Sequence, residues 1–302
     1  MARRDNARIL ICRPDHFSVA YSINPWMEPA RWASEAQALE ARAKSEWRAL
    51  HRVLKSVGAQ TEVMDGVPGL PDLVFTANAA VVMDGIALMA RFRHPERQGE
   101  EPHYEAAFRR LAEARIIDDV RSIPPGLRLE GAGDCVWDNT RRLFWMGFGP
   151  RSDQAAREVV EDCFGIDTVA LELADPRFYH MDTALCPLSG GEVLYVPFAF
   201  TAGGLGEIHA RIPAEQRIAI GSEDAALLAA NAVSLGRDIV LSNCTGALRA
   251  RLEERGYRVH RTPLGAFNRS GGSAFCLTLR LDHRSSVARD TTAQAAPALA
   301  LT

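Results

Sequence analysis

One pattern constrains this chain more than any other: short apolar strands and a helix recur about five times, at roughly 50-residue intervals. The first unit opens on Arg8-Ile9-Leu10-Ile11-Cys12, continues with an amphipathic helix over residues 34–57 closed by Gly58, and adds a strand near 61–64. Residues 73–76 and 80–83 then lead into 86–89 through Asp84-Gly85, a strong hairpin signal between apolar runs, and a helix over 101–114 follows. The rhythm recurs as a hairpin over 134–138 and 142–146 with a helix at 152–164. Next come a hairpin over 181–187 and 192–196 with a strand near 218–220, then an apolar pair within 233–241 with a helix over 245–256. Strands at 257–261 and 273–281 close the series. Repeats on this scale favour a propeller or array over a doubly wound sheet. No G-x-G-x-x-G follows the first strand, which disfavours a dinucleotide site.

Composition narrows the class. With 302 residues, 47% hydrophobic and 24% charged, the chain is an ordinary globular sequence. Its net charge of −3 leaves no electrostatic footprint for nucleic acid or an acidic membrane. No apolar run approaches the ~18 residues of a membrane span. Arg3-Arg4 precedes too short an apolar run for a secretion signal, so a soluble, cytoplasmic protein is expected, able to form a homo-oligomer. Residues 1–283 read as one α/β domain, and the Ala-, Ser- and Thr-rich stretch 284–302 reads as a loose tail. The six cysteines include no C-x-x-C pair, so most are expected to be reduced and buried.

Four polar clusters stand at the bases of the apolar strands: Phe75-Thr76-Ala77-Asn78, Glu130-Gly131-Ala132-Gly133-Asp134, His180-Met181-Asp182, and Ser270-Gly271-Gly272 leading to Cys276. Each alone equally suits a polar turn, a surface pair or a core cysteine. Read as a strand, 180–182 would turn His180 and Asp182 to one face. Glycines ahead of Cys276 would let backbone N–H groups approach the sulfur and lower its pKa. Together the clusters supply a nucleophile, an acid/base and carboxylates for a cationic substrate, planar guanidinium included. His180, Asp182, Glu130 and Cys276 fit no usual zinc pattern, and because side chains supply nucleophile, proton carrier and electrostatics, neither metal nor cofactor is expected.

The order F-T-x-N, E-G-x-G-D, H-x-D and G-G-x-x-x-C resembles the guanidine-modifying (amidinotransferase, or pentein) superfamily. Arginine deiminases, dimethylarginine dimethylaminohydrolases and arginine dihydrolases belong to it. Similar stretches include Ile23-Asn24-Pro25-Trp26-Met27-Glu28, residues 71–79, Glu96-Arg97-Gln98-Gly99-Glu100-Glu101 and Phe178-Tyr179-His180. The resemblance implies an α/β propeller of five ββαβ modules with pseudo-fivefold symmetry around a central site. It implies Cys276 as nucleophile, His180 as general acid/base, and Glu130 and Asp182 as guanidinium-binding carboxylates. By the same resemblance Arg97 pairs the substrate α-carboxylate, Asp134 supports the motif, Phe75 and Asn78 contact substrate, and Asn24 lies on a loop covering the site. Deiminases usually carry an acid where this chain has Asn78, and arginine dihydrolases resemble it there. The implied activity is therefore conversion of arginine, a small guanidino compound, to ornithine, ammonia and carbon dioxide. The alternatives are dimethylarginine, deiminase-type or citrulline hydrolysis, amidino transfer, or a non-catalytic binding module.

Overall fold

A computed structural model describes residues 7–285; apart from residues 284 and 285, the expected tail 284–302 lies outside the described residues. The repeat is realised as five separate three-stranded sheets, each built from an antiparallel pair and a third strand parallel to the second. The first to follow the pattern holds β3 (Ala80–Met83), β4 (Ile86–Met89) and β5 (Asp119–Ser122). Asp84 and Gly85 join β3 to β4 with φ of 52° and 79°, the left-handed pair that a two-residue hairpin turn requires. A helix, α2 (Glu101–Glu113), carries the chain from β4 to β5, because parallel neighbours need a crossover.

Three further sheets repeat this plan. They are β6 (Cys135–Asp138), β7 (Leu143–Phe148) and β8 (Thr168–Glu172); β9 (Leu185–Pro187), β10 (Val193–Tyr195) and β11 (Arg217–Ala219); and β12 (Val233–Leu235), β13 (Asp238–Leu241) and β14 (Arg258–Arg261). Helices α3 (Ala156–Phe164), α4 (Ala202–Arg211) and α5 (Gly246–Glu253) make their crossovers. Thr201 and Thr245 cap α4 and α5, their hydroxyls accepting the backbone N–H of Gly204 and Leu248. The fifth sheet joins both ends of the described chain. β15 (Leu279–Arg280) pairs antiparallel with β1 (Arg8–Cys12), and β1 pairs parallel with β2 (Gln60–Met64) after crossover α1 (Ala36–Ser56). α1 buries Leu39, Trp47, Leu50 and Leu54, each leucine contributing about 2 kcal/mol by leaving water.

Parts of three stretches expected as strands are helical turns: 73–76, taken up by the turns Pro71–Val74 and Thr76–Asn78; 181–184 of the expected 181–187; and 274–277 of the expected 273–281. All three are buried, and composition alone does not separate a buried strand from a buried helical turn. This corrects the expected placement of His180 and Asp182 on one strand face. The turns serve as entries to the sheets. Asn78, Asp134, Asp182 and Cys276 sit just ahead of β3, β6, β9 and β15. Among the described residues no helix is long and apolar enough to cross a membrane.

Candidate active site

Cys276 lies in its turn with 2% of its surface exposed. Its backbone N–H donates to Asn231 Oδ1 at 3.1 Å, its thiol donates to Asp182 Oδ2 at 3.1 Å, and Asn231 Nδ2 donates to the sulfur at 3.0 Å. Burial, then the Asp182 charge, push the thiol well above its ordinary range, although the Ser273 backbone N–H and Asn231 oppose them. The glycine-rich approach therefore does not give a low-pKa thiol: one backbone donor does not offset complete burial. Burial likewise raises Asp182 to about 7, and its Oδ1 is buried without a partner.

His180 points the other way. Its Nε2 lies 2.7 Å from Glu130 Oε2, which also accepts Arg151 Nη1 at 3.0 Å, while Glu130 Oε1 accepts the Arg93 backbone N–H at 3.1 Å. Burial alone would raise Glu130, but Arg151 and then His180 outweigh it and hold the carboxyl well below its ordinary range. Burial lowers His180 to about 4 against the pull of Glu130. At neutral pH the ring is therefore uncharged. An ionised Glu130 only accepts, so Nε2 carries the proton and Nδ1 offers a lone pair. Asp134 stands behind this pair: Ser152 Oγ donates to its Oδ2 at 2.6 Å and the Met181 backbone N–H to its Oδ1 at 3.1 Å, fixing the turn that follows His180.

Arg97 is 3% exposed, so it is no solvated surface charge. It grips Glu100 with two bonds, at 2.9 and 2.7 Å, and donates Nη1 to Asn78 Oδ1 at 2.8 Å. Arginine cannot accept, so Asn78 must turn its oxygen to Arg97 and its amide N–H group the other way. That N–H group lies where side chains at the E-G-x-G-D turn would collide. A Cβ on Gly133 would fall 2.1 Å from Asn78 Nδ2, and Gly131 has φ of 61° against the Asn78 backbone. Gly133→Ala is expected to displace the Asn78 amide and lower turnover about 100-fold, with the circular dichroism spectrum unchanged; steady-state kinetics on the folded variant checks this.

Cys276, Asn78, Arg97, Asn24 and Phe75 line one small polar cavity with residues the sequence had not singled out: Asp72, Arg151 and Tyr179. His180, Glu130, Asp182 and Asp134 stand behind its walls, joined to it through Arg151, Asn78 and Cys276. Asp72 accepts from Tyr21 at 2.9 Å and Ser270 at 3.2 Å, and burial raises it above its ordinary range. Arg151 lies over the Tyr179 ring at 4.5 Å and donates Nη2 to Ile23 O at 3.0 Å. Asn24 Nδ2 donates to Ser270 O at 3.0 Å and Trp26 Nε1 to Arg177 O at 2.7 Å, so the 21–27 loop roofs the cavity. No cluster of three or more metal-ligating side chains occurs among the described residues.

The family described as "N,N dimethylarginine dimethylhydrolase, eukaryotic" matches residues 13–282. The chain belongs to this dimethylarginine dimethylhydrolase family. A member from Mycobacterium tuberculosis, N(G),N(G)-dimethylarginine dimethylaminohydrolase, is 35% identical over 276 residues, 91% of this chain and 85% of that one. The bifunctional arginine dihydrolase/ornithine cyclodeaminase ArgZ of Synechocystis sp. is 41% identical over 277 residues. That match takes in 92% of this chain but 38% of ArgZ, so the chain spans well under half of that relative's length. A crystal structure of the N-terminal domain of ArgZ, an asparagine-to-serine variant covalently bound to a reaction intermediate, shares the α/β fold with a TM-score of 0.86 and 39% identity. It covers 92% of this chain and 99% of that domain.

Proposed function

We propose that this chain is a cysteine-dependent hydrolase of guanidino groups, acting as an arginine dihydrolase that yields ornithine, ammonia and carbon dioxide. The carrying observation is the neutral, oriented Asn78 in the cavity that holds Cys276. An aspartate there would hold a guanidinium by charge and lose that hold once the group became a ureido. An amide donor can instead serve a ureido oxygen. The arginine dihydrolase activity named for the 41% identical relative supports the same reading.

The chemistry follows from the placement of charges. Asp72, with Arg97 bonded to its carbonyl, and Arg151 line the same cavity and offer a carboxylate and two guanidiniums to the ammonium and carboxylate of an amino-acid head. A guanidinium arriving beside Cys276 and Asp182 offsets the burial that keeps the thiol protonated. The thiol proton passes first to Asp182 Oδ2, which already accepts its hydrogen bond, and from there to His180 Nδ1, whose imidazolium is stabilised by Glu130. Thiolate attacks the guanidinium carbon, and His180 returns the proton to the departing ammonia, leaving an S-alkylthiouronium on Cys276. His180 then takes a proton from water, whose hydroxide attacks the same carbon and releases a ureido product and the thiol. A second round cleaves the ureido group, so one arginine and two waters give one ornithine, one carbon dioxide and two ammonia. These groups supply nucleophile, proton carrier and charge, so the reaction as written calls on no cofactor.

In this reading residues 1–283 form one catalytic domain, acting in the cytoplasm. The five sheets are the blades of a pseudo-fivefold propeller, and the turns ahead of β3, β6, β9 and β15 face its axis. The test offers arginine, methylated arginines and citrulline separately and quantifies ornithine, citrulline, amines and ammonia. Two ammonia per ornithine from arginine is expected; release of a methylamine with no turnover of arginine would overturn the dihydrolase assignment in favour of a dimethylaminohydrolase. Asn78→Asp is expected to cut the ornithine yield at least about tenfold and let citrulline accumulate. An unchanged product ratio contradicts the role given to Asn78.

A further inference from the structure

The fourth sheet contributes nothing to the reaction as written, yet its first strand, β12, is entered through a residue placed like Asn78 and Cys276. Asn231 stands two residues ahead of β12 and is 0% exposed. The turn before it includes Leu228, a buried leucine held at φ of 53°, a conformation an L side chain adopts only when its surroundings enforce it. The Asn231 backbone N–H donates to Leu228 O at 3.0 Å, and its carbonyl accepts the Phe275 backbone N–H at 3.3 Å. The two turns are thus tied together main chain to main chain.

The side chain completes the tie. Oδ1 accepts the Cys276 N–H, which can only donate, so the amide orientation is fixed and Nδ2 must face the sulfur. Its donations go to Sγ at 3.0 Å and to the Asp182 carbonyl at 3.2 Å. The thiol hydrogen is already directed at Asp182. A second donor aimed at the same sulfur gains strength when that sulfur becomes an anion. We propose that Asn231 is a catalytic residue of this site, one that positions Cys276 and stabilises its thiolate. The proposal rests on the reading of Cys276 as nucleophile.

The titratable groups around the sulfur are Asp182, its hydrogen-bond partner, and Asp72, Arg97, Arg151 and Tyr179, which line the same cavity. Neither variant alters these side chains, and Asn231 touches only Asp182 among them, so a shift in thiol ionisation reports on the amide and on its hold on Asp182. Two variants separate the roles. Asn231→Ala removes both donor and acceptor. Asn231→Asp keeps the shape and the acceptor for the Cys276 N–H, loses the donor and adds a negative charge.

Two readouts are used on the full chain. In the ligand-free protein, iodoacetamide alkylation of Cys276 is followed by peptide mass mapping across pH, which needs no substrate. Its midpoint is expected to move to higher pH in Asn231→Ala and further in Asn231→Asp. With the guanidino substrate that the wild type consumes, kcat is expected to fall about 10- to 100-fold with KM within about threefold. The ascending limb of kcat/KM should move to higher pH. Folded variants, judged by thermal melting, that keep the wild-type alkylation midpoint overturn the proposal. So does a rise in KM at constant kcat, which would make Asn231 a substrate contact. A wild type that turns over no guanidino compound refutes the hydrolase reading, while the alkylation midpoints still decide the role of Asn231.

Discussion

Cys276→Ser is expected to lower arginine consumption at least about 10⁴-fold while leaving fold and arginine binding in place. Both rounds of cleavage begin at this sulfur, so the two products should vanish together. Serine keeps the size of the side chain and can still donate to Asp182 Oδ2, now 3.1 Å from Sγ, and accept from Asn231. Folding and affinity are thereby separated from chemistry. The hydroxyl resists ionisation far more than a thiol, and among the described residues the base in hydrogen-bond contact with Cys276 is Asp182, which burial keeps near 7. Calorimetric titration with arginine should give a Kd within a few-fold of the wild-type KM. A serine variant turning over within about tenfold of wild type would remove Cys276 from the reaction.

Glu130→Gln carries the second large effect, on stability as well as rate. The substitution preserves shape but strips the counter-charge from Arg151, which is 2% exposed, and weakens the bond to His180. An uncompensated buried guanidinium should cost about 3–5 kcal/mol in urea unfolding at neutral pH. The imidazolium needed in each round loses its partner, so turnover should fall about 10²- to 10⁴-fold. The sign of the pH dependence follows from the lowered Glu130 carboxyl. Its folded pKa lies below the ordinary 4.5, so its contribution is present above about pH 4.5 and lost as pH falls through the folded value. The stability gap between wild type and Glu130→Gln should therefore be full at neutral pH and narrow only in strong acid. A gap that widened on acidification would contradict the assigned ionisation.

The repeat was legible because hairpin turns such as Asp84-Gly85 and the apolar periodicity of α1 are local signals. The sequence also carried Cys276, His180, Asn78 and Arg97 on their motifs, and the structure sets Cys276, Asn78 and Arg97 in one cavity. What escaped were features that only packing decides. His180 and Asp182 looked like strand neighbours, yet the helical turn Met181–Ala184 sends one to Glu130 and the other to Cys276. The Cys276 thiol looked activated by its glycines, but complete burial outweighs them. Arg151 and Asn231 reach the site from loops and turns without a motif of their own, while Asp72 stood in the quoted stretch 71–79 without a role assigned to it. Asn231 had one available signal: it precedes the fourth apolar pair as Asn78 precedes the first hairpin.

The most direct measurement is acid quenching during turnover of arginine isotopically labelled at the guanidino carbon, followed by peptide mass mapping. The expected result is a labelled adduct, equal to arginine less one ammonia, on the peptide containing Cys276 and absent from Cys276→Ser. Arginine turnover with no labelled Cys276 peptide at any quench time, or with the label on another cysteine, would contradict the account.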